Sequence, residues 1–164
     1  MVTHNPIILR IDDRLIHGQV LVGWGSCYPI KHLIVGNDEI AENDWEKEIV
    51  LMAAPADCDA QVLNLQETLD YIHNRLKASD LSMILVSSPA DIKTLADKGL
   101  KLKTINIGGI HFDEGRTQYL PYLFLNESEV QIFKALMQKG YIFECQDLPT
   151  STKHSLTKVL ENHS

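Results

Sequence analysis

The sequence has little cysteine, no long apolar run and no surplus of basic residues. Only three cysteines occur among 164 residues, an odd number without the paired C-x-x-C spacing of zinc sites or redox motifs. No run approaches the roughly 18 apolar residues that cross a bilayer, and the start lacks a basic region followed by a long hydrophobic stretch. These absences favour a reducing compartment, so we expect a cytoplasmic protein without direct membrane insertion.

The charge balance is acidic, with 15 basic against 22 acidic residues, a net charge of −7 and a pI near 5.4. An acidic protein is poorly suited to phosphate backbones, so we expect no nucleic-acid partner. A hydrophobic content of 45% and a charged content of 23% are typical of a globular chain. The length predicts a single domain over residues 1–164, in which residues 152–164 form a weakly anchored tail.

Short β-branched apolar runs alternate with helical patterns along the chain. The predicted strands are Ile7 to Ile11, His32 to Gly36, Gln61 to Leu63, Met83 to Ser87, Thr104 to Ile107 and Tyr141 to Cys145. Helix starts are indicated at Asn64 and Ser88, and helix ends at Gly99 and Gly140. Such alternation predicts an α/β fold: an open, mostly parallel, doubly wound sheet with helices on both faces.

Ligands of such sheets bind beyond the carboxyl ends of the strands, so the loops that follow strands are the place to look for a site. The loop after the first strand is dense in polar groups. It contains Asp12, Asp13, Arg14 and His17 within six residues, and the apolar spacing that follows places His17 at the start of a helix. Free backbone N–H groups and the helix dipole make that position a natural cradle for an anion.

These residue types suit phosphoryl transfer. Neutral imidazole is a nucleophile near pH 7, so His17 is the candidate phosphoacceptor. Arg14 can neutralise phosphoryl oxygens, since a charge pair at about 4 Å with an effective dielectric near 20 is worth on the order of 4 kcal/mol. Asp12 and Asp13 are expected to hold Arg14 or the second ring nitrogen of His17. The alternative stays open that this segment is only a helix-initiating turn with a surface ion pair.

Other post-strand loops contribute candidates for the rim of the site. The phosphoryl-binding candidates next to His17 are Gly18 and Gln19, and the rim candidates are Asp38, Ser87, Gly108, Gly109 and His111. Paired glycines let backbone N–H groups approach an oxyanion, although they equally serve a tight turn. A metal-dependent hydrolase built on Asp12, Asp13, His17 and His111 is a second function class, but no recognised ligand spacing supports it and we expect no metal.

The run IDDRLIHGQV resembles the phosphorylation-site signature of the IIB components of the mannose/fructose/sorbose family of the bacterial phosphoenolpyruvate-dependent sugar phosphotransferase system (PTS). Similar family features follow in order: Val35 to Asn43, Met52-Ala53-Ala54-Pro55, Asn106-Ile107-Gly108-Gly109-Ile110, and Glu144 with Leu148-Pro149. The resemblance spans about residues 7–150.

The resemblance implies a phosphohistidine–sugar phosphotransferase subunit. A IIA protein or domain would pass its phosphoryl group to Nδ1 of His17, and His17 would phosphorylate a sugar brought through the membrane by IIC and IID subunits. Arg14 would stabilise the phosphoryl group, and no cofactor is implied. A regulatory phosphorelay domain of the same family is the alternative, and a homodimer is left open.

The chain also departs from the family pattern in three places. Gly23 and Gln146 stand where many relatives have arginine, and the segment Leu120 to Leu123 lacks a lysine that is often present. Each departure removes positive charge near the expected site or docking face.

Overall fold

The computed structural model describes residues 5–163, except for the side chain of Gln19. Residues 1–4 and 164 of the expected domain lie outside the described residues. The elements run in the order β1 (Ile7–Asp12), α1 (Gly18–Cys27), β2 (Ile30–Gly36), α2 (Asp38–Ala41), α3 (Asp44–Met52), β3 (Asp59–Leu63), α4 (Leu65–Arg75), β4 (Leu81–Val86), α5 (Pro89–Asp97), β5 (Thr104–Gly109), β6 (Thr117–Leu120), β7 (Leu123–Leu125), α6 (Glu127–Gln138), β8 (Ile142–Cys145), β9 (His154–Ser155) and α7 (Leu156–His163).

Seven strands form one sheet in the order β3-β2-β4-β1-β5-β8-β9. The pairings from β3 through β8 are all parallel, and only β9 runs antiparallel to its neighbour β8. All six predicted strands are present, and the predicted α/β sheet is confirmed. Within residues 5–163, no helix is long and apolar enough to cross a membrane.

Helices cover both faces of the sheet and create two apolar clusters. Ile7, Leu9 and Ile11 of β1 pack with residues of α4, α5, α6 and α7 on one face. The alternate residue Ile8 packs with α1 on the other face. Because side chains alternate along a strand, Arg10 and Asp12 share the α1 face with Ile8. The strand therefore delivers a buried charge to the side of the sheet that carries the first helix.

Side-chain caps begin most helices. The side chains of Asn37, Asn43, Asn64, Ser88 and Asn126 each accept a hydrogen bond from a backbone N–H in the first turn of α2, α3, α4, α5 and α6. The predicted starts at Asn64 and Ser88 are thus confirmed. Gly99 and Gly140 follow α5 and α6 with φ of 96° and 93°, a left-handed conformation that only glycine adopts without strain.

The structure corrects the expectation of a weakly anchored tail. Within residues 152–163, β9 pairs with β8, and Leu156 at the start of α7 is fully buried. Two further strands, β6 and β7, form an antiparallel hairpin that includes the departure segment Leu120 to Leu123. These pieces are two to four residues long, so they carry too little periodicity to be read from the sequence.

Candidate functional site

The loop between β1 and α1 is a tight turn tied to the neighbouring strand. The Asp13 N–H donates to the carbonyl of Gly109 at the end of β5 (3.0 Å), and the Leu15 N–H donates back to the carbonyl of Asp12 (2.9 Å). Leu15 has φ of 56°, which is uncommon for a branched residue and turns the chain sharply toward α1. The polar residues of this loop therefore occupy a fixed position at the carboxyl edge of the sheet.

His17 is the N-cap residue of α1, and it is half-buried. Its carbonyl accepts the first helical hydrogen bond from the Leu21 N–H (3.0 Å), but its side chain makes no capping bond. Nδ1 is shielded from solvent and has no hydrogen-bond partner among the described residues. No acidic residue stands in the first turn of α1. This helix start therefore has neither the polar cap of the next five helices nor a negative charge of its own.

Asp12 fixes the guanidinium of Arg14. Arg14 Nε donates to Asp12 Oδ1 and Arg14 Nη2 donates to Asp12 Oδ2, both at 3.1 Å. The Arg14 backbone N–H also donates to Asp12 Oδ1 (3.0 Å). The carboxylate is 1% exposed, whereas the Arg14 side chain is 34% exposed. A bidentate pair of this kind sets the orientation of the guanidinium and leaves its outer edge open to an incoming anion.

Arg10 lies beneath this pair, and the sequence analysis did not single it out. Arg10 is fully buried, and its Nη2 lies 3.6 Å from Asp12 Oδ2. Arg10 also donates to the Asn106 side chain and to the carbonyls of Gln146 (2.8 Å) and Asp147 (2.7 Å). Burial lowers the pKa of Arg10 to about 10, and Asp12 counteracts that shift, so the guanidinium stays charged at neutral pH. The available signal was one arginine inside an otherwise apolar strand.

Asp13 pairs with His111 and not with His17 or Arg14, which differs from the expectation. Asp13 Oδ1 lies 2.6 Å from Nδ1 of His111, and Oδ2 accepts the His111 backbone N–H at 2.7 Å. The two residues are 98 positions apart, and the link between β1 and β5 brings them together. The sequence analysis placed both residues in loops at the same edge of the sheet, but no local pattern indicates that they pair with each other.

The paired glycines leave space for the side chains of the site. A Cβ on Gly108 would lie 1.9 Å from Cζ of Arg10, so only glycine admits the buried guanidinium. A Cβ on Gly109 would lie 2.7 Å from Cε1 of His111 and 3.3 Å from Nη2 of Arg14. Gly109 carries no side chain, and the His111 ring and the Arg14 guanidinium both lie close to the space that a side chain there would occupy.

The remaining candidates occupy varied positions. Gly18 opens α1 with an exposed backbone, and the side chain of Gln19 lies outside the described residues. Asp38 accepts the Leu65 N–H (2.8 Å), and the Ser87 hydroxyl donates to Asp91 (3.0 Å). The side chains of Asp38 and Ser87 are therefore engaged in helix starts.

No group of three or more potential ligands among the described residues could hold a metal ion. Asp12 pairs with two arginines, and Asp13 is hydrogen-bonded to His111. Both acids of the metal-site alternative thus already have partners within the protein.

Two of the departures from the family pattern shape the loop that follows β8. A Cβ on Gly23 would lie 2.9 Å from Leu148, so α1 and this loop approach closely at that point. The Gln146 side chain donates to the carbonyls of Pro149 (3.3 Å) and Ser151 (2.9 Å). Both residues contribute to packing around the Arg10 carbonyl partners.

Comparison with known proteins assigns the family. The profile of the PTS system sorbose subfamily IIB component matches residues 7–164. The chain therefore belongs to the sorbose-type IIB family, a family of phosphotransferase subunits that serve sugar transport.

Named relatives and solved structures agree with this assignment. The chain is 30% identical to the PTS system fructose-specific EIIB component of Bacillus subtilis, over 96% of this chain and 97% of the relative. It is 32% identical to the mannose-specific EIIAB component of Escherichia coli, over 93% of this chain and 47% of that longer protein. Its structure matches the IIBSor domain of the Klebsiella pneumoniae sorbose permease with a TM-score of 0.84 at 25% identity, covering 96% and 98% of the two chains.

Proposed function

We propose that the chain is a phosphocarrier that accepts a phosphoryl group on His17 from a phosphorylated IIA protein or domain. In a second step, His17 would pass the group to a sugar during uptake through IIC and IID subunits. The observation that carries this proposal is the position of His17 at a helix start without a side-chain cap, three residues after an arginine that Asp12 holds in place. The family assignment gives the reaction type.

The helix start supports the role of His17. A phosphoryl group bonded to the ring would lie beside the unpaired N–H groups of the first turn of α1, where the helix dipole is positive. The unpartnered Nδ1 supports this nitrogen as the nucleophile, because no hydrogen bond within the described residues has to break first. The ring has to turn outward before Nδ1 meets the donor, since that atom is shielded from solvent.

Arg14 supplies a partly exposed positive charge, and Arg10 supplies a fully buried one. Arg14 would bind the phosphoryl oxygens directly, because its guanidinium is partly exposed and already oriented by Asp12. Arg10 would act only through Asp12, whose negative charge it shares with Arg14. Phosphoryl transfer depends largely on positioning and charge stabilisation, which such an arrangement provides.

The names of the relatives support the choice of partners. The mannose-specific relative of Escherichia coli is an EIIAB component, which joins a IIA part and a IIB part in one protein. Other relatives are named for fructose, N-acetylgalactosamine and sorbose. We therefore propose a hexose or a hexose derivative as the acceptor.

A labelling experiment tests the phosphoacceptor. The chain is incubated with phosphoenolpyruvate, enzyme I, HPr and a cognate IIA, and the mass of the intact protein is measured. We expect one added phosphoryl group that is labile in acid and stable in base, and we expect its loss in His17→Ala. His154→Ala is the matched control, since that exposed histidine lies in β9. Retention of the label in His17→Ala would refute the assignment.

Arg14→Ala tests the phosphoryl-binding role. We expect the rate of labelling to fall on the order of a hundredfold, the effect of losing one preorganised charge contact. Arg75→Ala serves as the control, because Arg75 pairs with Asp80 just before β4, at the opposite edge of the sheet. Equal rates in the Arg14 variant and the unaltered protein would contradict the role, and rapid-quench sampling provides the measurement.

A further inference from the structure

The pair formed by Asp13 and His111 has a defined protonation pattern. A carboxylate only accepts hydrogen bonds, so the ring nitrogen 2.6 Å from Asp13 Oδ1 must carry a proton. That nitrogen is Nδ1, and in a neutral ring the lone pair is then on Nε2. Nε2 has no hydrogen-bond partner among the described residues, and the side chain of His111 is 40% exposed. The hydrogen bond from Nδ1 to Asp13 thus leaves Nε2 of the partly exposed His111 ring free to accept a proton.

The ring of His111 and the guanidinium of Arg14 both lie close to Gly109. The point that a Cβ on Gly109 would occupy lies 2.7 Å from Cε1 of His111 and 3.3 Å from Nη2 of Arg14. The same point lies 3.5 Å from Asp12 Oδ1, so it is on the side of the guanidinium that Asp12 holds. Cε1 is bonded to Nε2, so the free nitrogen belongs to a ring that adjoins the same glycine as the Arg14 guanidinium. A group bound by Arg14 would therefore lie on the same stretch of the carboxyl edge as His111.

Arg116 anchors the backbone of His111, and Glu129 in turn holds Arg116. Arg116 Nη1 donates to the carbonyl of His111 (2.8 Å), and Arg116 Nε donates to Glu129 at 2.9 Å. Glu129 is 8% exposed and also accepts the N–H of Asn126 at the start of α6. Both the ring and the main chain of His111 are thus fixed, as a group that acts on a reacting atom requires.

We propose that His111 is the general base of the second half-reaction, in which phosphorylated His17 transfers its group to an acceptor hydroxyl. The inference rests on the proposed phosphocarrier function and names a further catalytic residue for it. Nε2 of His111 takes the hydroxyl proton as the hydroxyl oxygen forms a bond to phosphorus and the N–P bond breaks. The electron pair of that bond returns to His17, which leaves as a neutral imidazole because its other nitrogen carries a proton. His111 then releases its proton to solvent.

Only the second half-reaction needs this base. In the first, the nucleophile is the lone pair of a neutral imidazole, which has no proton to lose. In the second, the nucleophile is a hydroxyl, whose proton must leave. Asp13 stabilises the imidazolium that forms, as the carboxylate partner of a catalytic histidine does. The positive charges of Arg14 and Arg116 disfavour an imidazolium at His111. This effect is reduced because Asp12 pairs with Arg14 and Glu129 pairs with Arg116.

The test compares the two half-reactions in His111→Gln. Transfer from IIA to His17 is measured by rapid quench, and transfer from His17 is measured in vesicles that hold the cognate IIC and IID subunits. Mannose, fructose, sorbose and N-acetylgalactosamine are supplied as acceptors. We expect the second rate to fall on the order of a hundredfold, the usual contribution of a general base, and at least tenfold more than the first. His154→Gln is the matched control.

Two further variants separate a base from a structural role. In His111→Ala, added imidazole should restore part of the second rate, because a free base can occupy the vacated position. In Asp13→Asn, the second rate should fall, and the double variant Asp13→Asn, His111→Gln should be no slower than His111→Gln alone, since the two residues act as a unit.

Several outcomes would overturn the proposal. An equal loss in both half-reactions, or no rescue by imidazole, would reduce His111 to a structural residue. Absence of transfer to all four sugars by the unaltered protein would refute the hydroxyl acceptor and the base with it. Failure of the phosphocarrier function itself has a different signature, which is labelling that survives His17→Ala.

Discussion

Arg10 and Arg14 each carry a guanidinium group, but the two side chains have different roles because they are buried to different extents. Arg14 is partly exposed and has one acidic partner, so its outer edge can meet a ligand. Arg10 is fully buried, its pKa is lowered by that burial, and it bonds to backbone carbonyls and to Asn106. A buried charge is tolerated only where such partners surround it. Arg10 therefore has a structural role: it holds Asp12, Asn106 and the loop after β8 together beneath the site.

Arg10→Met should destabilise the fold strongly. The substitution leaves Asp12, the Asn106 side chain and two carbonyls without their buried donor, so we expect a loss on the order of 3–5 kcal/mol in the free energy of unfolding. Urea denaturation followed by circular dichroism provides the measurement. Lys93→Met is the control, since the exposed Lys93–Asp97 pair is worth about 0.3–0.5 kcal/mol. Similar losses in both variants would contradict this account.

The sequence was informative about single residues where the signal was local. Asp12 to His17 is one continuous segment between the end of β1 and the start of α1, and its placement follows from strand and helix patterns. The contacts of Asp13 with His111 and of Arg10 with Asp147 depend on how the strands are ordered in the sheet. Such long-range partners have no periodic signature, so the chemistry of Asp13 was assigned to the wrong neighbour.

At the scale of elements, the buried central strands were predictable and the short peripheral ones were not. Strands covered on both faces are apolar almost throughout, so β1, β2 and β4 are visible as hydrophobic runs. The hairpin of β6 and β7 and the two-residue β9 offer no such run. The tail was expected to be weakly anchored because terminal segments usually are, but one buried leucine and one strand pairing attach it.

Leu156→Ala should destabilise the protein although the residue lies close to the end of the chain. Leu156 is fully buried and belongs to the larger apolar cluster. We expect a loss of roughly 2–5 kcal/mol in the free energy of unfolding, the range for buried leucine truncations. Lys158→Ala, one half-turn further along α7 and exposed, is the matched control. A loss below about 0.5 kcal/mol, the size of an ordinary surface effect, would mean that α7 is not anchored through Leu156.

The hydrogen bond between His32 in β2 and Asp80 just before β4 should make stability respond to acid. His32 Nε2 lies 2.6 Å from Asp80 Oδ2, and this hydrogen bond, together with the charge of Arg75, lowers the pKa of Asp80 despite a smaller opposing effect of desolvation. A carboxyl group whose pKa is lowered by folding stabilises the protein above its ordinary pKa, and that stability is lost as the pH falls through the folded-state pKa. We expect unfolding free energy to decline below about pH 4, and to decline less steeply in Asp80→Asn. An unchanged slope in that variant, measured by urea titration at successive pH values, would contradict the assignment.

At the scale of the whole molecule, the protein is built on one seven-stranded sheet with a small two-stranded sheet beside it, and its charges and thiols are buried to different extents. Two apolar clusters cover the two faces of the large sheet. The three cysteines differ in solvent exposure: Cys27 is exposed, Cys58 is half-buried and Cys145 is buried. Burial raises the pKa of Cys145 to about 12. All three cysteines are free thiols in the structure.

Thiol labelling should therefore report global unfolding. Because only the thiolate reacts, we expect Cys27 to be labelled rapidly in the native state and Cys145 only when the sheet opens. Pulsed alkylation at pH 8 followed by peptide mass mapping distinguishes the sites. Addition of urea should accelerate labelling of Cys145 far more than that of Cys27. Equal native rates at the two positions would contradict the burial of Cys145.

The bonds from Arg10 to the carbonyls of Gln146 and Asp147 have a consequence for the order of assembly. Arg10 is synthesised well before its carbonyl partners, which stand 136 and 137 positions further along the chain. Until they are made, the guanidinium beneath the loop between β1 and α1 lacks two of its acceptors. A nascent or truncated chain that stops before Gln146 would hold the full IDDRLIHGQV segment without these two bonds, so this loop gains its complete support only after β8 has been made.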